Sequence, residues 1–118
     1  MHYAILCYDD EAVVGAWTKE QDDAVMARLG AVLTELESAG KLGPVARLEP
    51  TKTARTLRKG HGTKVVDGPF AETKEVLLGF YVVDCASENE ALEVAQALAK
   101  ASSSHGAYEI RPVGYLKA

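Results

Sequence analysis

The sequence predicts an α+β fold in which two helices cover one face of a mainly antiparallel β-sheet. Its 118 residues lie in the usual size range of one domain, so we expect residues 1–118 to form a single domain. Hydrophobic residues make up 47% of the chain and charged residues 25%, as in ordinary globular proteins. Segments with strand patterns alternate with two segments whose apolar residues recur at helical spacing. This alternation predicts a mixed fold.

The chain opens with a predicted strand, His2 to Tyr8, which ends at the polar cluster Asp9-Asp10-Glu11. Successive strand side chains point to opposite sides of a sheet. Both sides of this strand are mostly apolar: Tyr3, Ile5 and Cys7 point one way, and Ala4, Leu6 and Tyr8 the other. A strand of this kind is typical of a sheet that is covered on both faces.

The first helix is predicted from Lys19 to Ala39. Thr18 and Gln21 have the spacing of a capping box, in which two side chains satisfy unpaired backbone donors at a helix start. Gly40 is placed to end the helix in a left-handed conformation. The apolar face at helical spacing consists of Val25, Met26, Leu29, Val32, Leu33 and Leu36.

The remaining elements follow from pattern and turn residues. "GPVARLEP" predicts a second strand, and "TARTLRKGHGTKVV" predicts a hairpin that turns at Gly60-His61-Gly62. "EVLLGFYVVDC" predicts the central strand, with Leu78, Phe80 and Val82 on one side and Leu77, Tyr81 and Val83 on the other. The pair Ser87 and Glu90 predicts the start of a second helix, and "AYEIRPV" a last strand. This order predicts a ferredoxin-like sandwich with an extra β-hairpin.

Two helices cover one face of such a sheet and leave the other open. Because the first and central strands are apolar on both sides, the open face needs a cover. A second copy related by a two-fold axis is the simplest one. We therefore expect a homodimer packed sheet to sheet, with a cavity near the seam that takes a small-molecule ligand.

Charge and composition limit the function classes. The formal net charge of -4 argues against general binding of nucleic acid or an anionic membrane. No apolar stretch is long enough to span a bilayer and no signal sequence opens the chain, so we expect a cytoplasmic protein with Cys7 and Cys85 as free thiols.

The segment from Arg47 to Lys64 is basic in an otherwise acidic chain. Its six basic residues are Arg47, Lys52, Arg55, Arg58, Lys59 and Lys64. One interpretation is an exposed hairpin whose charges prevent edge-to-edge pairing with other chains. The other is a docking surface for an acidic protein partner or ligand.

The sequence has no motif for a metal or an organic cofactor. The histidines, His2, His61 and His105, lie far apart and have no metal-ligand spacing. Glycine-rich nucleotide loops and the serine-hydrolase elbow are absent as well. We therefore expect neither a metal site nor a cofactor.

The stretch "DGPFAETKE", Asp67 to Glu75, holds the densest polar cluster. Asp-Gly-Pro suits a sharp corner, so one interpretation is a turn stapled by Asp67 with Phe70 in the core. The other assigns catalysis to Asp67, Glu72 and Lys74, because a cation holds a carboxylate ionised while an apolar wall makes it a usable base. In this interpretation the substrate-binding residues are Tyr8, Phe70, Tyr81 and Arg111.

The chain resembles the YCII-related family in its DGPF-motif branch. "DGPFAETKE", "LGFYVVD" and "YEIRPV" carry the resemblance, which extends over almost the whole chain through "YAILCYDDE" and "TARTLR". It implies a ferredoxin-like subunit and a dimeric α/β barrel. In a related shorter branch the proposed catalytic dyad is a histidine on the first helix with an aspartate. This chain has no histidine between Glu11 and Gly60, so the dyad is not transferred and only Asp67 has a counterpart.

Two functions follow from the residues and the resemblance together. The first is a small-molecule lyase or isomerase with a carboxylate base at the DGPF motif. The second is a non-catalytic ligand-binding or accessory protein, since DGPF-type genes are often associated with extracytoplasmic-function sigma factors. The sequence identifies no substrate.

Overall fold

The computed structural model describes residues 1–60, 62 and 64–117. Its strands are β1 (His2–Asp10), β2 (Leu42–Arg47), β3 (Arg55–Arg58), β4 (Lys64–Asp67), β5 (Glu75–Asp84) and β6 (Ala107–Pro112). Its helices are α1 (Glu11–Gly15), α2 (Lys19–Ser38) and α3 (Glu88–Ala101), and a short 3-10 turn covers Thr51–Thr53.

The main sheet has four antiparallel strands in the order β2-β5-β1-β6. Each half of this sheet joins two strands through one long helix, which is the ferredoxin-like arrangement predicted from the sequence. The extra hairpin is also present, as a separate two-stranded ribbon of β3 and β4 that we call the hairpin arm. Gly60 and Gly62 at its turn have φ of +118° and +65°, and the predicted turn residue His61 lies outside the described residues.

The helix boundaries confirm the capping predictions in most details. Thr18 and Gln21 form the complete capping box of α2, and Gly40 follows that helix with φ of +71°. The Ser87 hydroxyl accepts a hydrogen bond from the Glu90 backbone N–H at the start of α3. The Glu90 carboxylate does not complete this second box, because it binds the Ala86 backbone N–H and the Lys41 ammonium instead.

The core lies between the sheet and the two long helices. Its largest fully buried side chains are Ile5, Val83 and Leu98, from β1, β5 and α3. The other buried members are Tyr3, Val25, Leu29, Leu36, Cys85, Ala91, Ala95 and Ala101. Small alanines on α3 allow that helix to approach the sheet closely.

A β-bulge changes the predicted orientation of one segment. Cys7 pairs with Gly79, but Tyr8 pairs with Leu77, so β5 contains one extra residue at this point. Residues that pair across strands share a face, so Leu77 lies on the side of Tyr8 and Leu78 lines the helix side. The predicted assignment of Leu77 and Leu78 to the two faces was therefore wrong.

A short helix, α1, follows β1 where the sequence predicted only a polar connection. Its N-cap is Asp10, whose carboxylate accepts a hydrogen bond from the Ala12 backbone N–H at 2.9 Å. The Glu11 carboxylate then accepts hydrogen bonds from the backbone N–H and hydroxyl of Thr51. These contacts lower the pKa of Glu11 and attach α1 to the loop after β2.

The second face of the main sheet is not covered by any helix of residues 1–60, 62 and 64–117. The strand pairings place Ala4, Leu6, Phe80 and Val82 on this open face, with Glu109 beside Leu6. Within the described part of the chain, no helix is long and apolar enough to cross a membrane.

Candidate functional site

The catalytic residues predicted at the DGPF motif lie on the surface of the subunit. The Asp67 side chain, at the end of β4, is 91% exposed and faces the Arg55 guanidinium at 3.4 Å. Glu72 and Lys74 are exposed in the connection between β4 and β5. Among the described residues, these three groups are therefore exposed to solvent and not enclosed by an apolar wall.

The corner after β4 is a tight turn. Gly68 has φ of +104°, a conformation that residues with a Cβ rarely adopt, and its N–H donates to the Ala54 carbonyl at 2.8 Å. The Thr56 hydroxyl donates to the Gly68 carbonyl at 2.9 Å. Phe70 is 72% exposed, with the Arg58 guanidinium 5.0 Å from its ring centroid. The interpretation that places Phe70 in the core was wrong, because the corner projects from the arm rather than from the sandwich.

The predicted substrate-binding residues lie on two different faces. Tyr8 is on the open face, where its hydroxyl donates to the Glu109 carboxylate at 3.3 Å. Arg111 pairs with Ala4 and shares that face. Tyr81 pairs with Ile5 and lies on the opposite, helix-covered side of the sheet. Within the described chain, these three residues therefore do not share one face of the sheet.

A cavity of about 180 Å³ lies on the helix side, between α2 and the main sheet, and we call it the α2 cavity. Its helical wall includes Val25, Met26, Leu29, Gly30 and Leu33, which lie on one face of α2. The remaining walls come from β1, α1, β2, β5, the segment after α3, and β6. Most of these side chains are apolar, so the cavity suits a small ligand with an apolar body.

Asp9 is the acidic residue in the wall of this cavity, and it is only 6% exposed. One carboxylate oxygen, Oδ1, accepts a hydrogen bond from the Asp10 backbone N–H at 2.7 Å. None of the five ion pairs found in residues 1–60, 62 and 64–117 includes Asp9. A carboxylate buried without a cation is costly, and such groups mark candidate functional sites.

Gly106 holds the start of β6 against Asp9. A Cβ placed on Gly106 would overlap the Tyr8 carbonyl oxygen and would lie 2.8 Å from the Asp9 Cγ. Any side chain at this position would therefore push β6 away from β1. The close approach fixes where the Asp9 carboxylate lies.

Cys7 and Tyr108 share the polar end of the cavity with Asp9. Burial raises the pKa of the Cys7 thiol and the nearby Asp9 charge raises it further, while the Tyr108 hydroxyl partly offsets both. Burial is also the main cause of the raised pKa of Tyr108, with additional contributions from Tyr81 and Cys7. The rings of Tyr81 and Tyr108 meet edge to face, with centroids 6.3 Å apart. The Cys7 thiol and the Tyr108 hydroxyl are therefore both neutral at pH 7.

The other end of the cavity is bounded by Arg47, whose guanidinium is held by Asp22 on α2 at 2.9 and 3.3 Å. This ion pair raises the pKa of Arg47 and lowers the pKa of Asp22. Arg47 also lines an open cleft of about 810 Å³ that contains Glu11 and Thr51. The α2 cavity and this wider cleft thus share Arg47 as a lining residue.

Two features bear on the chemistry that the cavity supports. Among the described residues, no three histidine, cysteine, aspartate or glutamate side chains come together as a metal-binding group. The helix that lines the cavity contains no histidine, so the dyad of the shorter branch has no counterpart there. Asp9 is the carboxylate available for acid–base chemistry in this cavity.

Sequence reasoning missed Asp9, although a signal was present. Asp9 was assigned to the polar cluster that ends the strand. Its position continues the alternation Tyr3, Ile5, Cys7, which is the face that the helices cover. An acidic residue at the fourth position of a buried face is the pattern that predicts a functional carboxylate.

Comparison with known proteins places the chain in a family. A family model described as the YCII-related domain matches residues 1–117. A protein of Rhizobium meliloti (strain 1021), described as uncharacterized, is 58% identical over 118 residues, which cover 99% of this chain and 95% of that protein.

Proposed function

The chain belongs to the YCII-related family, and we propose that it binds a small organic molecule in the α2 cavity and moves a proton to or from it with Asp9. The observation that carries this proposal is the carboxylate of Asp9, 6% exposed, in the wall of a cavity of about 180 Å³. A dry cavity of about 150 Å³ takes up benzene, so this one has room for one aromatic ring with a short substituent.

The surroundings of Asp9 suit a proton transfer. Cys7 and Tyr108 next to it are neutral, so they do not fix the carboxylate as an ion pair. A lyase or isomerase step fits, because such reactions need proton transfer and the sequence has no cofactor motif.

The role predicted for Asp67, Glu72 and Lys74 requires a wall from outside the subunit. A second copy packed on the open sheet face is the source that we propose. Ala4, Leu6, Phe80 and Val82 give that face an apolar centre, and Glu109 and Arg111 lie beside it, which supports an interface with a polar border. Light scattering at micromolar concentration should give the mass of a dimer, and a monomer mass would overturn this assembly.

A second candidate function is docking of an acidic partner on the hairpin arm. The arm supports it because Arg55, Arg58 and Lys64 lie on an exposed ribbon together with Leu57 and Val65. A fluorescent peptide of alternating glutamate and leucine should bind with strong salt dependence. Reversing the charges of Arg55 and Arg58 to glutamate should abolish binding, whereas Lys100→Glu on α3 should leave it unchanged.

A cavity-filling variant tests the main proposal. Gly30 lines the cavity from α2, and a Cβ at this position meets no atom within 4 Å. The Cβ of Gly30→Leu therefore has free space, and the rest of the leucine side chain should occupy the cavity and block ligand binding. A thermal-shift screen of small metabolites should find ligands that raise the melting temperature of the unmodified protein, because a ligand that binds the native state stabilises it.

Ala31→Leu is the matched control, since Ala31 is the next residue on the same helix and is exposed to solvent. We expect Ala31→Leu to keep the ligand-induced shift and Gly30→Leu to lose it. If both variants keep the shift, the ligand binds elsewhere and the proposed site is wrong. If no ligand shifts the unmodified protein, small-molecule binding itself is contradicted.

A further inference from the structure

The polar end of the α2 cavity contains oxygen and sulfur groups around Asp9. Ser102 and Ser104 follow α3 and line the cavity on this side, with their hydroxyl oxygens 2.7 Å apart. The Tyr108 hydroxyl and the Cys7 thiol complete this end. Hydroxyl oxygens and a carboxylate accept hydrogen bonds, so this end of the cavity favours a ligand group that donates several of them.

The cationic side chains near this region are already bound to other groups. Arg47 lies at the other end of the cavity and is held by Asp22 through two hydrogen bonds. Arg28 donates to the Ala101 carbonyl at 2.9 Å and to the Ser103 hydroxyl at 2.6 Å. The charge of Asp9 is therefore not matched by an ion pair with a described side chain, and a bound cation would compensate it.

The rest of the wall suits an organic cation better than a metal ion. Trp17, Tyr81 and Tyr108 present aromatic rings to the cavity, and aromatic faces attract organic cations. Calcium requires six to eight oxygen ligands, whereas Asp9 is the only carboxylate among the described residues that line this cavity. An ammonium group needs fewer partners and carries three N–H donors.

We propose that the ligand of the α2 cavity is a small organic amine whose ammonium group pairs with Asp9 and whose apolar or aromatic body lies along α2. This inference rests on the binding part of the proposed function and specifies the class of ligand, with Asp9 as the carboxylate that holds it. The ammonium binds the free oxygen of Asp9 and the hydroxyls of Ser102, Ser104 or Tyr108. Val25, Leu29 and Leu33 contact the body of the ligand from the helix side.

Three probes of nearly the same size test this inference. Benzylamine is cationic at pH 7, benzyl alcohol is neutral, and benzoate is anionic. Calorimetry with the unmodified protein should rank benzylamine first, at least about tenfold tighter than benzyl alcohol, because charged hydrogen-bonded pairs are stronger than neutral ones. Benzoate should bind worst, since it places a second carboxylate beside Asp9.

Asp9→Asn is the decisive variant. Asparagine retains the oxygen that accepts the Asp10 N–H hydrogen bond, so the fold should persist, and the preference for benzylamine over benzyl alcohol should disappear. Asp23→Asn is the control, because Asp23 is an exposed carboxylate of α2 that pairs with Lys19. It should leave the ranking unchanged.

The outcomes separate this inference from the proposed function. If benzyl alcohol binds as tightly as benzylamine and Gly30→Leu blocks both, the cavity is a binding site but the amine assignment is wrong. If Asp9→Asn retains the full preference, the ammonium does not pair with Asp9 and the inference fails. If none of the three probes binds while a metabolite from the thermal-shift screen binds and Gly30→Leu blocks it, the amine inference fails and the proposed binding site stands. The ranking on the unmodified protein decides the amine assignment even if Asp9→Asn does not fold.

Discussion

The α2 cavity and the hairpin arm differ in how their acidic groups are surrounded. Asp9 in the cavity is 6% exposed and lies among apolar and aromatic side chains. The Asp67 side chain on the arm is 91% exposed and faces an arginine that is itself exposed. Water screens the second group, whereas the first is held in a low-dielectric setting where a charge or a proton transfer has a large energetic effect.

The two regions also differ in the number of elements that form them. The cavity is lined by residues of several helices and strands. These residues are far apart in the sequence and do not form one contiguous motif. The arm is one hairpin, and the DGPF corner begins at its last residue, Asp67. A conspicuous motif thus lies on an exposed arm, whereas the α2 cavity is built from residues that are scattered in sequence. The four predictions below test whether this contrast holds.

The largest expected difference concerns leucine side chains in the two regions. Leu98 on α3 is fully buried, so Leu98→Ala should lower the free energy of unfolding by about 2–5 kcal/mol. Leu57 on the arm is 57% exposed, and Leu57→Ala should cost less than about 0.5 kcal/mol. Urea denaturation followed by circular dichroism measures both. A cost for Leu57→Ala that approaches the cost for Leu98→Ala would contradict the exposed arm and would indicate that another copy covers it.

Two glycine substitutions should change stability in opposite directions. Gly68→Ala should destabilise the protein by about 1–3 kcal/mol, because alanine is strained at φ of +104°. Gly30→Ala should stabilise it by about 0.5–1 kcal/mol, because glycine is a poor helix former and the added Cβ has free space. Thermal unfolding of both variants checks the signs. A loss of stability for Gly30→Ala would contradict the open wall of the α2 cavity.

Alkaline pH should destabilise the cavity region through its buried acids. Burial raises the pKa values of Cys7 and Tyr108 in the folded protein above their ordinary values of 9.0 and 10.0. A raised folded pKa gives stability that is present below the unfolded pKa and is lost as pH rises above it. The free energy of unfolding should therefore fall above about pH 9.

The variant Tyr108→Phe should reduce this loss of stability at alkaline pH, because it removes one of the two groups whose pKa is raised in the folded protein. Tyr115 is 82% exposed near the chain end, so Tyr115→Phe is the matched control and should leave the pH dependence unchanged. Urea denaturation from pH 7 to pH 11 gives the slope of the free energy of unfolding against pH for each variant. Equal slopes for Tyr108→Phe and the unmodified protein would mean that Tyr108 is not desolvated in the folded state.

The smallest expected effect is that of the ion pair on the arm. Arg55 and Asp67 are both exposed at a separation of 3.4 Å, and exposed pairs contribute little. Arg55→Ala should lower the free energy of unfolding by less than about 0.5 kcal/mol. A double-mutant cycle with Asp67→Ala measures the coupling. A coupling of more than about 1 kcal/mol would show that water does not screen this pair, and the contrast with the cavity would then be weaker.

The elements of the fold could be predicted from the sequence because local rules determine them. Thr18 and Gln21 satisfy backbone donors within one turn, and Gly40 ends the helix through its own conformational freedom. Strand faces follow from the alternation of side chains, as in Tyr3 and Ile5. The bulge that exchanges Leu77 and Leu78 could not be predicted, since it depends on how β5 pairs with β1.

The candidate site could be predicted only in its residue types. The sequence predicted a carboxylate and aromatic residues around a pocket, and the first helix contains no histidine. It assigned these roles to the DGPF corner, because contiguous polar residues are conspicuous in a linear chain. The catalytic and binding roles of those residues remain predictions. Asp9 was overlooked because the same sequence pattern fits both a polar strand end and a buried acidic residue.

The sequence by itself determined the element types, their order and the boundaries of the long helices, because hydrophobic periodicity and capping act over a few residues. The tertiary structure decided which residues share a cavity, because that depends on the strand order β2-β5-β1-β6 and on the approach of Gly106 to Asp9. It also placed the DGPF corner on an exposed arm, since β3 and β4 pair with each other and not with the main sheet. Burial is a property of the packed chain, and the free-energy cost of a charged carboxylate depends on how deeply it is buried.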